Sequence, residues 1–167
     1  CRYCFAGTGN FGSGRSLMDA ETGKKALDYL FKASGSRKHV EVDYFGGEPL
    51  LNFNVVRELI EYGVLQAEIT GKILKQTLTT NAVLLDKKIG EYLKSKGVSL
   101  ILSIDGRPEV HDRMRPATGG QGSYQRVAKA IGDYLEYGDK NSYYVRGTYT
   151  HFNLDFSEDV RYLTELG

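Results

Sequence analysis

The sequence predicts an α/β fold in which helices cover a parallel sheet. Three observations carry that reading. Short stretches with strand character recur at residues 40–45, 74–80, 98–104 and 143–150. Between them lie segments whose apolar residues repeat at helical spacing. The run at 98–104, VSLILSI, is apolar on both faces, as a strand flanked by parallel neighbours and covered by helices requires. Strands alternating with helices at intervals of about 30 residues imply right-handed crossovers, with the sheet open or closed into a barrel.

Taken in order, Asp19 caps a helix carrying Ala26, Leu27, Leu30 and Phe31 on one stripe, which ends near Ser34 and Gly35. In the strand at 40–45, Val40, Val42 and Tyr44 share one face and Glu41, Asp43 and Phe45 the other, before Gly46 and Gly47 stop it. Asn54 caps a second helix through Val55, Val56, Leu59 and Ile60, expected to fray around Gly63. After the strand at 74–80, Asp86 caps a helix that buries Ile89, Tyr92 and Leu93 and stops at Gly97. Ser123 then caps a helix with Val127, Ala128, Ile131, Tyr134 and Leu135 inward. The strand at 143–150 follows, and Asp155 or Ser157 opens a last helix.

The chain has 167 residues, with 22 Lys and Arg against 21 Asp and Glu, so charge alone gives no nucleic-acid footprint. Its 20 glycines show no period of three, which excludes a collagen-like chain. No apolar run approaches the roughly 18 residues of a membrane span, and no signal layout opens the chain, so neither a membrane nor a nucleic-acid partner is expected and the compartment is cytoplasmic. The sequence starts on a motif cysteine and closes within a helix, and it reads as an excerpt, one domain over 1–167 cut at both ends.

In either sheet architecture ligands collect beyond the C-terminal strand ends, and the unusual residues of this chain lie there, at 46–48, 79–81, 103–106 and 148–151. Cys1 and Cys4, the only cysteines, form CRYC, whose thiolates can share a metal or close a small disulfide. His39, His111 and His151 are scattered, so a sequence-local zinc site is not expected. In FGGEP, residues 45–49, Gly46 and Gly47 bring bare backbone to a ligand and Glu48 offers a carboxylate suited to a cationic amine; a plain turn is the alternative. TTNA, residues 79–82, places Asn81 either at a ligand or as a cap, and SIDG, residues 103–106, offers the Ser103 hydroxyl and Asp105 carboxylate to a ribose or amino acid, or makes an Asp-Gly turn. Arg115 is a carboxylate clamp through its two-pronged fork, or an ordinary exposed Arg. Arg146 either points into a polar cavity or pairs with Asp43 or Glu41 across the sheet. GTGNFG, residues 7–12, follows no strand in the chain and is discounted as a dinucleotide loop.

Together, CRYC with Tyr3 between the cysteines, FGGEP, TTNA and SIDG resemble the radical S-adenosylmethionine superfamily. The longer segments GNFG, RSLM, DYFGGEPLLNF, LTTNAVLL, LSIDGRPEVHDRMRP, YYVRGTYT and NLDFSEDV look like the SCIFF peptide maturases, thioether-forming members with a C-terminal SPASM domain; anaerobic sulfatase-maturating enzymes are more distant relatives. The resemblance implies a portion of a partial (β/α)6 barrel lacking its first strand, its first cluster cysteine and the SPASM region. It implies that Cys1 and Cys4 ligate a 4Fe-4S cluster and that Tyr3 lies beside the adenine of S-adenosylmethionine. By the same resemblance, Gly46, Gly47 and Glu48 hold the methionyl amine, while Ser103 and Arg115 bind the ribose and carboxylate, with Asn81, Asp105 and Arg146 contributing to the cofactor or substrate cavity. Ala82 departs from the related TTNG pattern.

The implied activity is reductive cleavage of S-adenosylmethionine, followed by a Cys-to-Thr α-carbon thioether in a cysteine-rich precursor peptide. A reductant such as flavodoxin or ferredoxin and auxiliary 4Fe-4S clusters in the SPASM region are further implied, and the excerpt alone is expected to be inactive. Competing readings are another SPASM enzyme such as a formylglycine-forming sulfatase maturase, a zinc or dithiol module, and a barrel enzyme binding a phosphorylated ligand.

Overall fold

A computed structural model describes residues 1–6, 14 and 16–166. Most of the Gly-rich stretch at 7–14, with GNFG and Arg15 of RSLM, lies outside the described residues. Among the described residues, six α-helices and four strands follow one another as α1 (Ala20–Ala33), β1 (His39–Tyr44), α2 (Phe53–Thr70), β2 (Ile73–Thr80), α3 (Lys87–Ser95), β3 (Ser99–Ser103), α4 (Pro108–Met114), α5 (Tyr124–Tyr137), β4 (Tyr143–Arg146) and α6 (Phe156–Glu165). The strands form one sheet in the order β1-β2-β3-β4, and each neighbouring pair is parallel. This is the α/β arrangement expected, a parallel sheet with helices in its crossovers.

Alternation along the strands sorts the two faces. Tyr44, Leu78, Leu100 and Leu102 are buried under the helices with Ile60 and Leu93 in the main core, while Val40 packs in a smaller cluster with Phe31 and Ala67. The opposite face is polar, and its register sets Asp43 beside Thr77, Thr79 beside Ile101, and Ser103 beside Arg146. Local chemistry starts and stops the helices as the sequence indicates at two places. Asp19 accepts from Thr22 N–H at 2.7 Å to open α1, and Asp86 accepts from Ile89 N–H at 2.8 Å to open α3.

The differences have local causes. The chain turns into α2 earlier than the Asn54 cap predicts: Glu48 accepts from Leu50 N–H and Pro49 starts a 3-10 turn over Pro49–Asn52, so α2 is under way at Phe53. The helix does not fray at Gly63. A Cβ there would stand 3.1 Å from Leu74 Cδ2 and 3.4 Å from Gln76 Oε1, so the glycine lets α2 lie close on β2. Strict alternation fails between β3 and β4, where α4 and α5 both intervene. Ser123 does not cap α5 with its side chain; Asp112 of α4 does, accepting from Ser123 N–H and Tyr124 N–H at 2.7 Å each. Neither Asp155 nor Ser157 caps α6 with its side chain: Asp155 is the N-cap residue but its carboxylate accepts from Arg107 instead, and Ser157 lies inside the helix. The fourth strand ends at Arg146 rather than at residue 150, because Thr148 N–H turns to Asp105 and Thr150 N–H to Asn153.

Candidate functional site

The two cysteines share one turn, closed by Cys4 N–H donating to Cys1 C=O at 3.2 Å; both thiols are free and Cys1 is exposed. The turn is fastened at two points, the end of α4 and the segment just after β3. Arg2 N–H donates to Met114 C=O at 2.8 Å, and Tyr3 Oη donates to Asp105 Oδ2 at 2.6 Å. Burial, with the Asp105 bond, pushes the Tyr3 hydroxyl up to about 12, so it remains a donor at any working pH. Just beyond the turn, Phe5 stacks on Phe45 with ring centroids 6.1 Å apart.

Asp105 is the hub of the β3 end. Its side chain is wholly buried, and Oδ1 accepts from Thr148 N–H at 3.0 Å while Oδ2 takes Tyr3. Arg115, at the C-cap of α4, brings Nε within 3.0 Å of Asp105 Oδ1, and its guanidinium lies 5.5 Å from the centre of the Tyr3 ring. The Arg115–Asp105 approach is a charge contact, not a directed bond: Arg115 Nε–H is buried and has no hydrogen-bond acceptor among the described residues. Sequence reasoning named Tyr3, Asp105 and Arg115 separately, and the fold brings all three together beside the cysteine turn.

Glu48 joins the ends of β1 and β2. Its Oε1 accepts from Thr80 Oγ1 at 2.7 Å and Leu50 N–H at 3.1 Å, and its Oε2 accepts from Asn81 N–H at 2.8 Å. Burial raises the Glu48 carboxyl above its ordinary value, partly offset by those three donors. A carboxylate offers about four lone-pair sites, so three protein donors leave room for one more. Asn81 is committed locally, its Oδ1 accepting from Val83 N–H at 2.9 Å. At Gly46 and Gly47 a Cβ would meet nothing within 4 Å, and neither has positive φ, so the fold itself does not demand glycine there.

Ser103 is buried at the end of β3, in register with Arg146. Arg146 is exposed with its guanidinium 5.9 Å from the centre of the Phe45 ring. The cross-sheet pairing considered for it does not form: Glu41 pairs with Lys75, and Asp43 accepts from Thr77 Oγ1 at 2.9 Å and from Thr79. A cavity of about 390 Å³ lies between the β4 end and α6, lined by Val145, Thr148, Tyr149, Phe156 and Asp159, and of the predicted residues only Asp105 borders it. Thr80 and Thr148 lie in the strand-end segments singled out from the sequence, whereas sequence reasoning assigned no role to His111 or Asp159, which also fix the strand ends. The buried Asp159 accepts from Arg107 N–H at 3.0 Å and Arg107 Nε at 2.9 Å, and its side chain fills the space a Cβ on Gly106 (φ +124°) would need.

Among the described residues, no group of three or more His, Cys, Asp or Glu is placed to hold a metal ion. Two free thiols in one turn suit a cluster that takes further ligands from elsewhere, since soft thiolates are the ligands of iron–sulfur centres. No described helix is long and apolar enough to cross a membrane.

A family model described as the radical SAM superfamily matches residues 1–162. An uncharacterized protein of Methanocaldococcus jannaschii, MJ0907, is 31% identical over 168 residues, which cover all of this chain and 54% of that protein. The radical SAM cyclopropyl synthase TigE of Paramaledivibacter caminithermalis is 25% identical over 187 residues, covering all of this chain and 38% of TigE. Native anSMEcpe with bound AdoMet and Cp18Cys peptide superposes with a TM-score of 0.82 at 21% identity, covering 99% of this chain and 44% of that one. The same protein with bound AdoMet alone gives 0.83 at 20% identity, with 99% and 45% covered. The chain thus spans about half or less of the length of the proteins it matches.

Proposed function

The chain belongs to the radical SAM superfamily, and from that premise we propose that the protein carrying it cleaves S-adenosylmethionine reductively at a 4Fe-4S cluster and closes a thioether between a Cys sulfur and a Thr α-carbon of a cysteine-rich precursor peptide. The observation that carries the reading is the buried Arg115 Nε–H without an acceptor, held beside a turn with two free thiols. A buried N–H of this kind costs free energy unless a ligand oxygen reaches it.

When bound, cluster and cofactor supply one-electron reduction of a sulfonium and removal of a hydrogen atom from a C–H bond. The protein's own residues bind and orient. Cys1 and Cys4 would each give a thiolate to iron. Glu48, with one lone-pair site left beside its three donors, would accept the cofactor's amine, and the open space at Gly46 and Gly47 admits that amine close to backbone. Arg115 would carry the carboxylate, with Ser103 at the ribose and Tyr3 at the adenine, while Asn81, its Oδ1 taken by Val83 N–H, would shape the turn beside them. Asp105, both oxygens engaged, holds Tyr3 and Arg115 in place. Arg146 and Phe45, on the polar face of the sheet, would border the peptide. Free thiols suit the reducing cytoplasm, where flavodoxin or ferredoxin is the electron donor. A SPASM region with auxiliary clusters completes the proposed protein.

The test is anaerobic reconstitution of the full-length protein, reading iron content, visible absorption and release of 5′-deoxyadenosine after reduction. Zinc-only binding, or no reductive cleavage, rejects the reading. With a cysteine-rich peptide, a product two hydrogens lighter that keeps its sulfur supports the thioether, whereas loss of a Cys sulfur supports formylglycine formation. Glu48→Ala and Arg115→Lys should weaken S-adenosylmethionine binding roughly tenfold without removing iron, since Lys keeps the charge but loses the fork; iron loss from either variant counts against these roles.

A further inference from the structure

His111 lies within the segment LSIDGRPEVHDRMRP with no role assigned to it above, yet it is hydrogen-bonded at both ring nitrogens beside the β3 end. It lies on α4, only 1% exposed, with the Tyr124 ring edge-on at 5.8 Å. Its Nδ1 accepts from Asp105 N–H at 3.3 Å. An acceptor nitrogen carries no proton, so the proton of the neutral ring sits on Nε2. Nε2 faces Ser123 Oγ at 3.0 Å, and Ser123 Oγ donates its own proton to Arg115 C=O at 2.5 Å. Each donor therefore has one acceptor, and one imidazole with one hydroxyl spans the main chains of Asp105 and Arg115. Those are the two residues whose side chains meet at 3.0 Å. Burial, with the Arg115 charge nearby, lowers the His111 pKa and keeps the neutral ring that this wiring needs.

We propose that His111 is a positioning residue: acting through Ser123, it sets the backbone at Arg115 relative to Asp105 and so aims the Arg115 guanidinium at its ligand. The ligand, the carboxylate of S-adenosylmethionine, rests on the function proposed above; the relay itself does not. A packing role alone would be met by any apolar side chain of similar size. The relay instead requires an acceptor toward Asp105 and a donor toward Ser123.

The experiment compares four variants of the reconstituted full-length protein in reductive cleavage of S-adenosylmethionine, with iron content measured in parallel. His111→Leu removes both bonds and should raise KM about tenfold while kcat changes less than threefold and iron is retained. His111→Asn, which can still accept from Asp105 N–H, and His111→Gln, which can still donate to Ser123, should each recover part of that loss. Ser123→Ala tests the far link should His111→Leu fail to fold, and should raise KM about fivefold, as loss of one hydrogen bond of roughly 1 kcal/mol implies. An unchanged KM in Ser123→Ala overturns the proposal, as does a His111→Leu loss that neither Asn nor Gln recovers. If the wild-type protein cleaves no cofactor, the function above fails and the relay is read separately, from 15N-histidine spectra of the iron-free protein. There the His111 proton should sit on Nε2, and a proton on Nδ1 overturns the relay.

Discussion

Replacing Asp105 with Asn isolates the charge at the hub, because the amide nearly preserves the shape. The Asn oxygen can still accept from Thr148 N–H, while its NH2 faces the Tyr3 oxygen as a donor, so the Tyr3 hydroxyl proton must turn to another acceptor. What disappears is the negative charge 3.0 Å from Arg115, whose side chain is only 12% exposed. Leaving one partner of a buried pair alone costs about 3–5 kcal/mol. Two charge-assisted bonds become neutral ones, a further loss of about 1 kcal/mol each. Against this, Asn avoids several kcal/mol of carboxylate desolvation. The balance is a destabilisation of about 2–3 kcal/mol, well below the sum of the losses. Urea unfolding of the iron-free protein, followed by far-UV circular dichroism, measures it, and a double-mutant cycle with Arg115→Met should return a coupling of about 2 kcal/mol. An Asp105→Asn change under about 0.5 kcal/mol, or a coupling near zero, would refute the claim that the hub is an electrostatic pin.

Two other perturbations test the strand ends. Burial pushes the Asp159 carboxyl up, but the Arg107 side chain, the Arg107 backbone and Asn153 outweigh it, so its pKa is lowered on folding. The unfolded chain then binds more protons in the window below the ordinary carboxylate pKa. Stability contributed by Asp159 is full above that value and is lost as pH falls through the folded one. Urea midpoints measured between about pH 6 and pH 3 should drop on acidification, and Asp159→Asn should flatten the drop; an equally steep profile in the variant contradicts the assignment. Ala82, buried with φ 60°, is the one non-glycine residue at positive φ among the described residues. Left-handed backbone costs a non-glycine residue about 1–2 kcal/mol, while Gly would forfeit about 0.8 kcal/mol of methyl burial and gain about 0.4–1 kcal/mol of unfolded-state entropy to lose. Ala82→Gly should therefore lie within about 0.5 kcal/mol of wild type in urea unfolding, and a shift beyond about 1.5 kcal/mol would show that the turn is held by something else.

The sheet was legible because its order is written locally. Val40, Val42 and Tyr44 alternate, Leu100 and Leu102 are buried under helices, and Asp19 and Asp86 stand where the helices need acceptors. The helix α4 was not, since seven residues with only His111 and Met114 fully inward make no period. The end of β4 was illegible for another reason: Thr148 leaves the sheet to reach an Asp 43 positions earlier, which no window of neighbouring residues contains. At the site, residue types pointed to Tyr3, Glu48, Asp105 and Arg115, while the partners that orient them come from distant segments. Thr80 reaches Glu48 across 32 positions, and the alternatives left open for Arg146 depended on side-chain reach across the strands.

The bond from Tyr3 to Asp105 joins residues 102 positions apart, and Arg107 reaches Asp159 across another 52. A ribosome adding about 5–20 residues per second needs roughly 5–20 s to supply the first of these partners. The cysteine turn, whose Tyr3 is synthesised 102 residues ahead of Asp105, therefore waits for that later segment before it acquires this seat. Any iron delivered before Asp105 emerges would meet two thiols still lacking that anchor, so metal loading belongs after this long-range bond has closed.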